Sequence, residues 1–217
     1  RDAQESRGLG DVYKRQAVVR LKPVSDSAKS VAVLASGTGT LLKAIIDNQE
    51  NRYRVDIVVA DQICPALQRA KNAGIRTAVV PMEANRNTWN DKMVAAVASV
   101  EPDLVVSAGF MRLLGPAFVQ EFEGRTINAH PSLLPSFPGA HAVRDALEHG
   151  VKVTGCTVHY VDAGLDSGEI IAQRAVEVQP GDTEWELHER IKKVEREQIV
   201  HLLRNLEIAN GKAVFNV

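Results

Sequence analysis

From Val31 onward, short apolar runs alternate with stretches of helical spacing. Val31–Ala35 is apolar at every position, as a strand buried on both faces should be. It runs into Ser36-Gly-Thr-Gly-Thr40, after which Leu41, Leu42, Ala44, Ile45 and Ile46 recur at helical intervals. The unit is strand, glycine turn, helix. Val55–Ala60 reads as a second strand, and Pro65 suits the first turn of a helix ending near Gly74. Arg76–Val80 is a third strand. Trp89–Val100 has the pattern of a helix, with Asn87 or Thr88 as its cap. Asp103–Ala108 is a fourth strand, ended by Gly109.

The second half changes character. Arg125–Ala129 is a short strand that enters His130-Pro-Ser-Leu-Leu-Pro-Ser-Phe-Pro-Gly139, a loop stiffened by three prolines. Ala142–His149 is a helix stopped by Gly150. Lys152–Val161 and Glu169–Val178 are strands separated by Asp162–Gly168, and Thr183-Glu-Trp-Glu186 is a capping box that opens a helix reaching about Leu206. The alternation predicts an α/β fold of Rossmann-like type. Its sheet is mostly parallel with helices on both faces, and an antiparallel strand pair lies at one edge. Residues 1–30 stand apart: they are polar, hold Gly8, Gly10 and Pro23, and show no period. They read as a disordered or foreign leader ahead of one domain over 31–217.

Composition narrows the function classes. The 217 residues are 45% hydrophobic and 24% charged, the balance of a soluble globular protein, and the formal net charge is −1. That charge argues against a nucleic-acid partner held by bulk electrostatics. The apolar runs fall far short of the roughly 20 residues of a membrane span. Cys64 and Cys156 stand alone, outside any paired-cysteine motif, and no signal peptide is visible, so a reducing cytoplasm is the expected setting.

Ser36–Thr40 lies where a strand hands over to a helix, the place where α/β sheets bind ligands. Glycines admit close backbone approach and the helix start offers free N–H groups, so a mononucleotide phosphate is the leading reading. A dinucleotide remains open: Gly37 and Gly39 are present and Asp61 follows 24 residues after Gly37, but Leu42 stands where a third glycine belongs. A plain structural turn is the third possibility. Asn128 and His130, two apart on a strand, share one side and pair an amide donor with a titratable imidazole. The pair suits oxyanion stabilisation coupled to proton movement. Asp162 and Asp166, taken alone, read as turn residues.

Together these pieces resemble the glycinamide ribonucleotide formyltransferases, folate-dependent one-carbon transferases. The resemblance runs from about Val31 to Leu206. It is carried by Thr126-Ile-Asn-Ala-His-Pro-Ser-Leu-Leu-Pro135, by Leu165-Asp-Ser-Gly168 preceded by Thr157-Val-His-Tyr-Val161, and by Gly109-Phe-Met-Arg-Leu-Leu114. It implies a catalytic domain over 31–217, with Asn128, His130 and Asp166 as the catalytic set. It also implies a ribonucleotide site at Gly37, Thr38, Gly39, Thr40 and Leu41 with Arg86, Lys192 and Glu195. The folate site would fall on Phe110, Met111, Arg112, Leu113, Leu114, Val161 and Asp162. N10-formyltetrahydrofolate would be co-substrate, with no metal, and the partners would be small molecules, with neither nucleic acid nor membrane; no oligomeric state is read from the sequence. Lys192 and Glu195, three apart on a helix, could equally form an exposed ion pair. Ala129 departs mildly from the bulkier aliphatic usual at that position.

Three rivals define what would overturn this reading. A methionyl-tRNA formyltransferase should carry an extra C-terminal module. A dinucleotide dehydrogenase would use Asp61 on a ribose. A metal enzyme would ligate through His130, His159 and Asp166, although no metal-ligand helix spacing is present.

Overall fold

The computed structural model describes residues 28–216. Five strands build its parallel part: β1 (Lys29–Ala35), β2 (Tyr53–Ala60), β3 (Arg76–Val79), β4 (Leu104–Ser107) and β5 (Thr126–His130). β6 (Val153–Tyr160) and β7 (Ile170–Glu177) complete a seven-stranded sheet in the order β3-β2-β1-β4-β5-β6-β7. The β5–β6 and β6–β7 pairings are antiparallel and the others parallel. This is the expected α/β sheet with its antiparallel pair at one edge.

Helices α1 (Thr40–Asp47), α2 (Pro65–Asn72), α3 (Arg86–Ala98), α4 (Pro116–Glu121), α5 (Ala142–His149) and α6 (Glu184–Arg204) fill the connections. The alternating faces of β1 decide the layers. Val31, Val33 and Ala35 join a core with Leu41, Leu42, Ile45, Ile199 and Leu203, the buried positions of α1 and α6. Ala32 and Leu34 face the other way, onto Trp89, Met93 and Val97 of α3 and Phe118 of α4. Both faces of β1 are thus covered, as its unbroken apolar run requires.

Several boundaries differ from the sequence reading. β1 takes in Lys29 and Ser30, which that reading assigns to the leader, because their backbones pair with Tyr53 and Arg54 of β2. The rest of the leader, 1–27, lies outside the described residues. The cap of α3 is Asn85, not Asn87 or Thr88: its side chain accepts from the amides of both, at 3.0 and 3.3 Å. α4 was not expected, since six residues behind Pro116 are too few to display a period. A closing hairpin, β8 (Leu206–Ala209) and β9 (Lys212–Phe215), was also not expected. Its turn is Asn210-Gly211, with φ of 52° and 76°, the conformation that such a dipeptide favours. Among the described residues no helix is long and apolar enough to cross a membrane.

The capping box at the start of α6 forms as the sequence suggests. Thr183 accepts from the Glu186 amide at 3.2 Å, and Glu186 accepts from the Thr183 amide at 2.9 Å. Thr183→Ala should lower unfolding free energy by about 1 kcal/mol. Urea denaturation monitored by circular dichroism checks the value, and an unchanged midpoint would mean that the cap contributes nothing.

Candidate active site

Strand order reverses between β1 and β4. β2 and β3 extend from one side of that boundary, β4 and β5 from the other. The loops leaving β1 and β4 therefore diverge and open a crevice at the carboxyl ends of the strands, where such sheets bind ligands. The glycine loop Ser36–Thr40 leaves β1, and Gly109–Leu114 leaves β4. The two are bonded across the boundary: Ser36 N–H donates to Gly109 O at 3.3 Å, and Met111 N–H donates to Ser36 Oγ at 2.9 Å. β5 delivers Asn128 and His130 to the same end of the sheet.

On the glycine loop, Gly39 is the N-cap of α1 in left-handed conformation, and no side chain caps the helix. The amides of Gly37, Thr38 and Gly39 have no protein partner among the described residues. Unpartnered amides ahead of a helix are ready to meet an anion.

The Gly109–Leu114 segment alternates. Phe110 stacks on Trp89 with ring centroids 6.4 Å apart, and Leu114 also packs against that core. Met111 and Leu113 project outward, 70% and 64% exposed. Arg112 turns back, its Nε donating at 2.7 Å to Asp61, whose side chain is 1% exposed. Arg86, an exposed side chain, donates to Leu113 O at 2.6 Å and stands over the Trp89 ring, 4.4 Å from its centroid. Asn90 accepts from the Gly115 amide at 2.8 Å. Side chains from β1, β2 and α3 thus hold the segment at successive points. Asp61 is spent on Arg112, which removes the acid that a dinucleotide reading needed.

The chemistry-bearing groups meet at Asp166. Its Oδ2 lies 3.5 Å from His130 Nδ1, and its Oδ1 lies 3.7 Å from His159 Nε2. The Gly139 amide donates to Oδ2 at 2.8 Å. The other nitrogen of His130, Nε2, faces the Phe137 carbonyl at 2.8 Å, so that nitrogen carries a proton. His159 Nδ1 faces the Tyr160 carbonyl at 2.8 Å, which leaves Nε2 of the neutral ring to accept from Asn128 Nδ2 at 3.2 Å. Burial pushes His159 below its ordinary pKa, against the upward pull of the Tyr160 carbonyl and Asp166. Asp166 and Phe137 both have left-handed backbones, with φ of 51° and 54°. Non-glycine residues seldom adopt that conformation without a cause, and here both present groups to His130.

Sequence reasoning grouped His159 with His130 and Asp166 only as ligands in the metal alternative and gave it no place in the catalytic set. The signal that finds it is register: β5 and β6 run antiparallel with Asn128 opposite His159. The remaining expected positions are less central. Asp162 accepts from the Gly164 amide and the Ser167 hydroxyl within its own turn, and Val161 donates its amide to Thr126 O at 2.9 Å. Lys192 pairs with Glu189 at 2.9 Å, not with Glu195. Among the described residues no cluster is arranged to hold a metal.

The formyl transferase family model matches residues 29–203. A phosphoribosylglycinamide formyltransferase from Mycobacterium tuberculosis is 52% identical over 182 residues, covering 82% of this chain and 84% of that one. The Escherichia coli protein of the same name is 40% identical, over 75% of this chain and 79% of its own length. In three dimensions, glycinamide ribonucleotide transformylase 1 from Symbiobacterium toebii superposes with a TM-score of 0.81 at 38% identity, over 88% of this chain and 95% of that one. On sequence and on fold alike, this chain belongs to the formyl transferase family.

Proposed function

We infer that the chain transfers the formyl group of N10-formyltetrahydrofolate to the amine of glycinamide ribonucleotide, giving formylglycinamide ribonucleotide and tetrahydrofolate in purine biosynthesis. The observation that carries the reading is the meeting of Asn128, His130 and Asp166 beside a loop of unpartnered amides, in a chain 52% identical to a protein of that activity.

The substrate amine attacks the formyl carbon directly. A C–N bond forms, the carbonyl electrons move to oxygen, and the tetrahedral carbon then collapses as its bond to the folate N10 breaks. The proton lost by the amine ends on N10. His130 and Asn128 stabilise the oxyanion. Asn128 has two amide protons, and the one not turned to His159 remains for that oxygen. At 3.5 Å, His130 Nδ1 is beyond normal hydrogen-bond length from Asp166, so that ring position is left to face a reacting atom while the carboxylate stays nearby. Holding both substrates in line supplies a further part of the acceleration, on the order of 7–11 kcal/mol in favourable cases.

The ribonucleotide phosphate takes the glycine loop, and formyl-folate takes the outward-facing segment after β4. Glu195 accepts from the ribose hydroxyls. α1 packs on α6, and Arg204 at the end of α6 donates to Asn48 beyond the end of α1 at 3.1 Å. Following α6 back by the length of α1, about 12 Å at 1.5 Å per residue, reaches the turn that carries Glu195. Burial pushes that carboxyl up to about 7, against Lys192 and Arg196, and it has no hydrogen-bond partner among the described residues. A desolvated, unpartnered carboxylate is a strong acceptor for a diol.

A transfer assay with 10-formyl-5,8-dideazafolate should release deformylated folate when glycinamide ribonucleotide is the acceptor, and not with methionyl-tRNA or water. Transfer to the tRNA instead would overturn the reading. In the same assay, His130→Ala should lower kcat by about 100-fold or more, and Asp166→Asn comparably. A loss below about threefold for His130→Ala would remove that residue from the chemistry.

Glu195 also makes a stability prediction. Its folded pKa lies above its ordinary value of 4.5, so between pH 4.5 and about 7 the folded state holds a proton that the unfolded chain has released. Stability from this group is therefore lost as pH rises through that window. Glu195→Gln should raise the melting temperature at pH 8 and change it little at pH 4.5. An equal shift at both pH values would contradict the raised pKa.

A further inference from the structure

Three successive carbonyls of the glycine loop, those of Ser36, Gly37 and Thr38, are engaged from one side, while that of Gly39 accepts from the Lys43 amide of α1. Ser36 O accepts from Gln62 Nε2 at 3.0 Å, Gly37 O from the Ala66 amide at 3.2 Å, and Thr38 O from Arg69 Nε at 2.8 Å. The donors belong to α2 and to the turn leading into it. Contact there is tight: a Cβ on Gly39 would stand 2.8 Å from both Cα and Cβ of Ala66, so the loop lies directly on the first turn of α2.

The consequence follows from peptide geometry. In a trans peptide the C=O and N–H point in opposite directions. Tying the carbonyls of Ser36, Gly37 and Thr38 toward α2 turns the amides of Gly37, Thr38 and Gly39 away from it. None of these three amides has a protein partner among the described residues. The last peptide of the series, between Thr38 and Gly39, is held by a single side chain, the half-buried Arg69.

We propose that Arg69 is a positioning residue of the phosphate cradle: its Nε, by holding the Thr38 carbonyl, aims the Gly39 amide at the phosphomonoester of the substrate. The inference rests on the assignment of the ribonucleotide phosphate to this loop. Arg69 does not touch the phosphate. It acts through one peptide unit, from the face opposite to the anion. A charged donor on a carbonyl also polarises that peptide and strengthens the N–H on its far side.

Two substitutions separate the tether from the charge. Glutamine carries an N–H donor at the same position along the side chain as Arg Nε, without the positive charge. Methionine places a methyl group there and donates nothing. Steady-state kinetics on the full chain should give Arg69→Met a KM for glycinamide ribonucleotide raised about five- to tenfold. Its kcat and its KM for formyl-folate should stay within twofold. Arg69→Gln should keep the ribonucleotide KM within about threefold of the parent. Inorganic phosphate should inhibit the parent and Arg69→Gln competitively against the ribonucleotide, and Arg69→Met more weakly.

An unchanged ribonucleotide KM in Arg69→Met overturns the proposal. So does equal impairment of the two variants, which would assign the effect to charge. A parallel fall in kcat, both KM values and melting temperature would make Arg69 a general structural residue and also overturn it. If the parent transfers no formyl group, the underlying assignment fails separately. Thermal stabilisation by inorganic phosphate then decides the proposal, which stands only if Arg69→Met alone loses that stabilisation.

Discussion

One carboxylate organises the chemical end of this molecule. Asp166 reaches His130 with one oxygen and His159 with the other, while the Gly139 amide fixes its position. The loop carrying Asp166 joins β6 to β7, and the two imidazoles stand on β5 and β6. β5 and the β6–β7 segment, whose two histidines are 29 residues apart, are thereby tied at one point. Remove the carboxylate, and both buried imidazoles lose the acidic group they share. The neutral state of His159, with Nδ1 on the Tyr160 carbonyl and Nε2 toward Asn128, also sets how the Asn128 amide is turned. His159 is therefore a support for the asparagine as well as a neighbour of the acid.

The crevice beside this cluster follows from topology. The strand order reverses at β1 and β4, so the loops that leave them part and open a gap between two rims. The protein then stiffens both rims in different ways. The β4 rim is held by side chains: Ser36, Asp61, Arg86 and Asn90 each take a separate point between Gly109 and Gly115. The β1 rim is held through its own carbonyls, which leaves its amides facing outward. One rim offers apolar side chains and backbone, the other a set of N–H donors.

Much of this was legible in the sequence because its signals are local. Unbroken apolar runs marked the parallel strands, Thr183 and Glu186 marked the start of α6, and Ser36–Thr40 marked the glycine turn between β1 and α1. Asn128 and His130 could be paired from their spacing alone. What stayed hidden depends on contacts between distant parts of the chain. Asp61 looked like a ribose-binding acid until Arg112, 51 residues on, was seen to occupy it. The contacts of Arg86 with the Leu113 carbonyl and the Trp89 ring had no local signal either. His159 had no local signature and needed the β5–β6 register. The Asn210-Gly211 hairpin is a different case, since its turn signal was present and the short strands around it made it easy to pass over.

The convergence at Asp166 can be tested by following the imidazole resonances of His159 through a pH titration by nuclear magnetic resonance, in the parent chain and in Asp166→Asn. The account predicts a midpoint below the ordinary histidine value of 6.5 in the parent, because burial outweighs the attractive groups, and a further downward move in the variant, where the carboxylate no longer favours the charged ring. A midpoint that is the same in both proteins would mean that Asp166 does not stand beside His159, and the arrangement described for the site would be wrong.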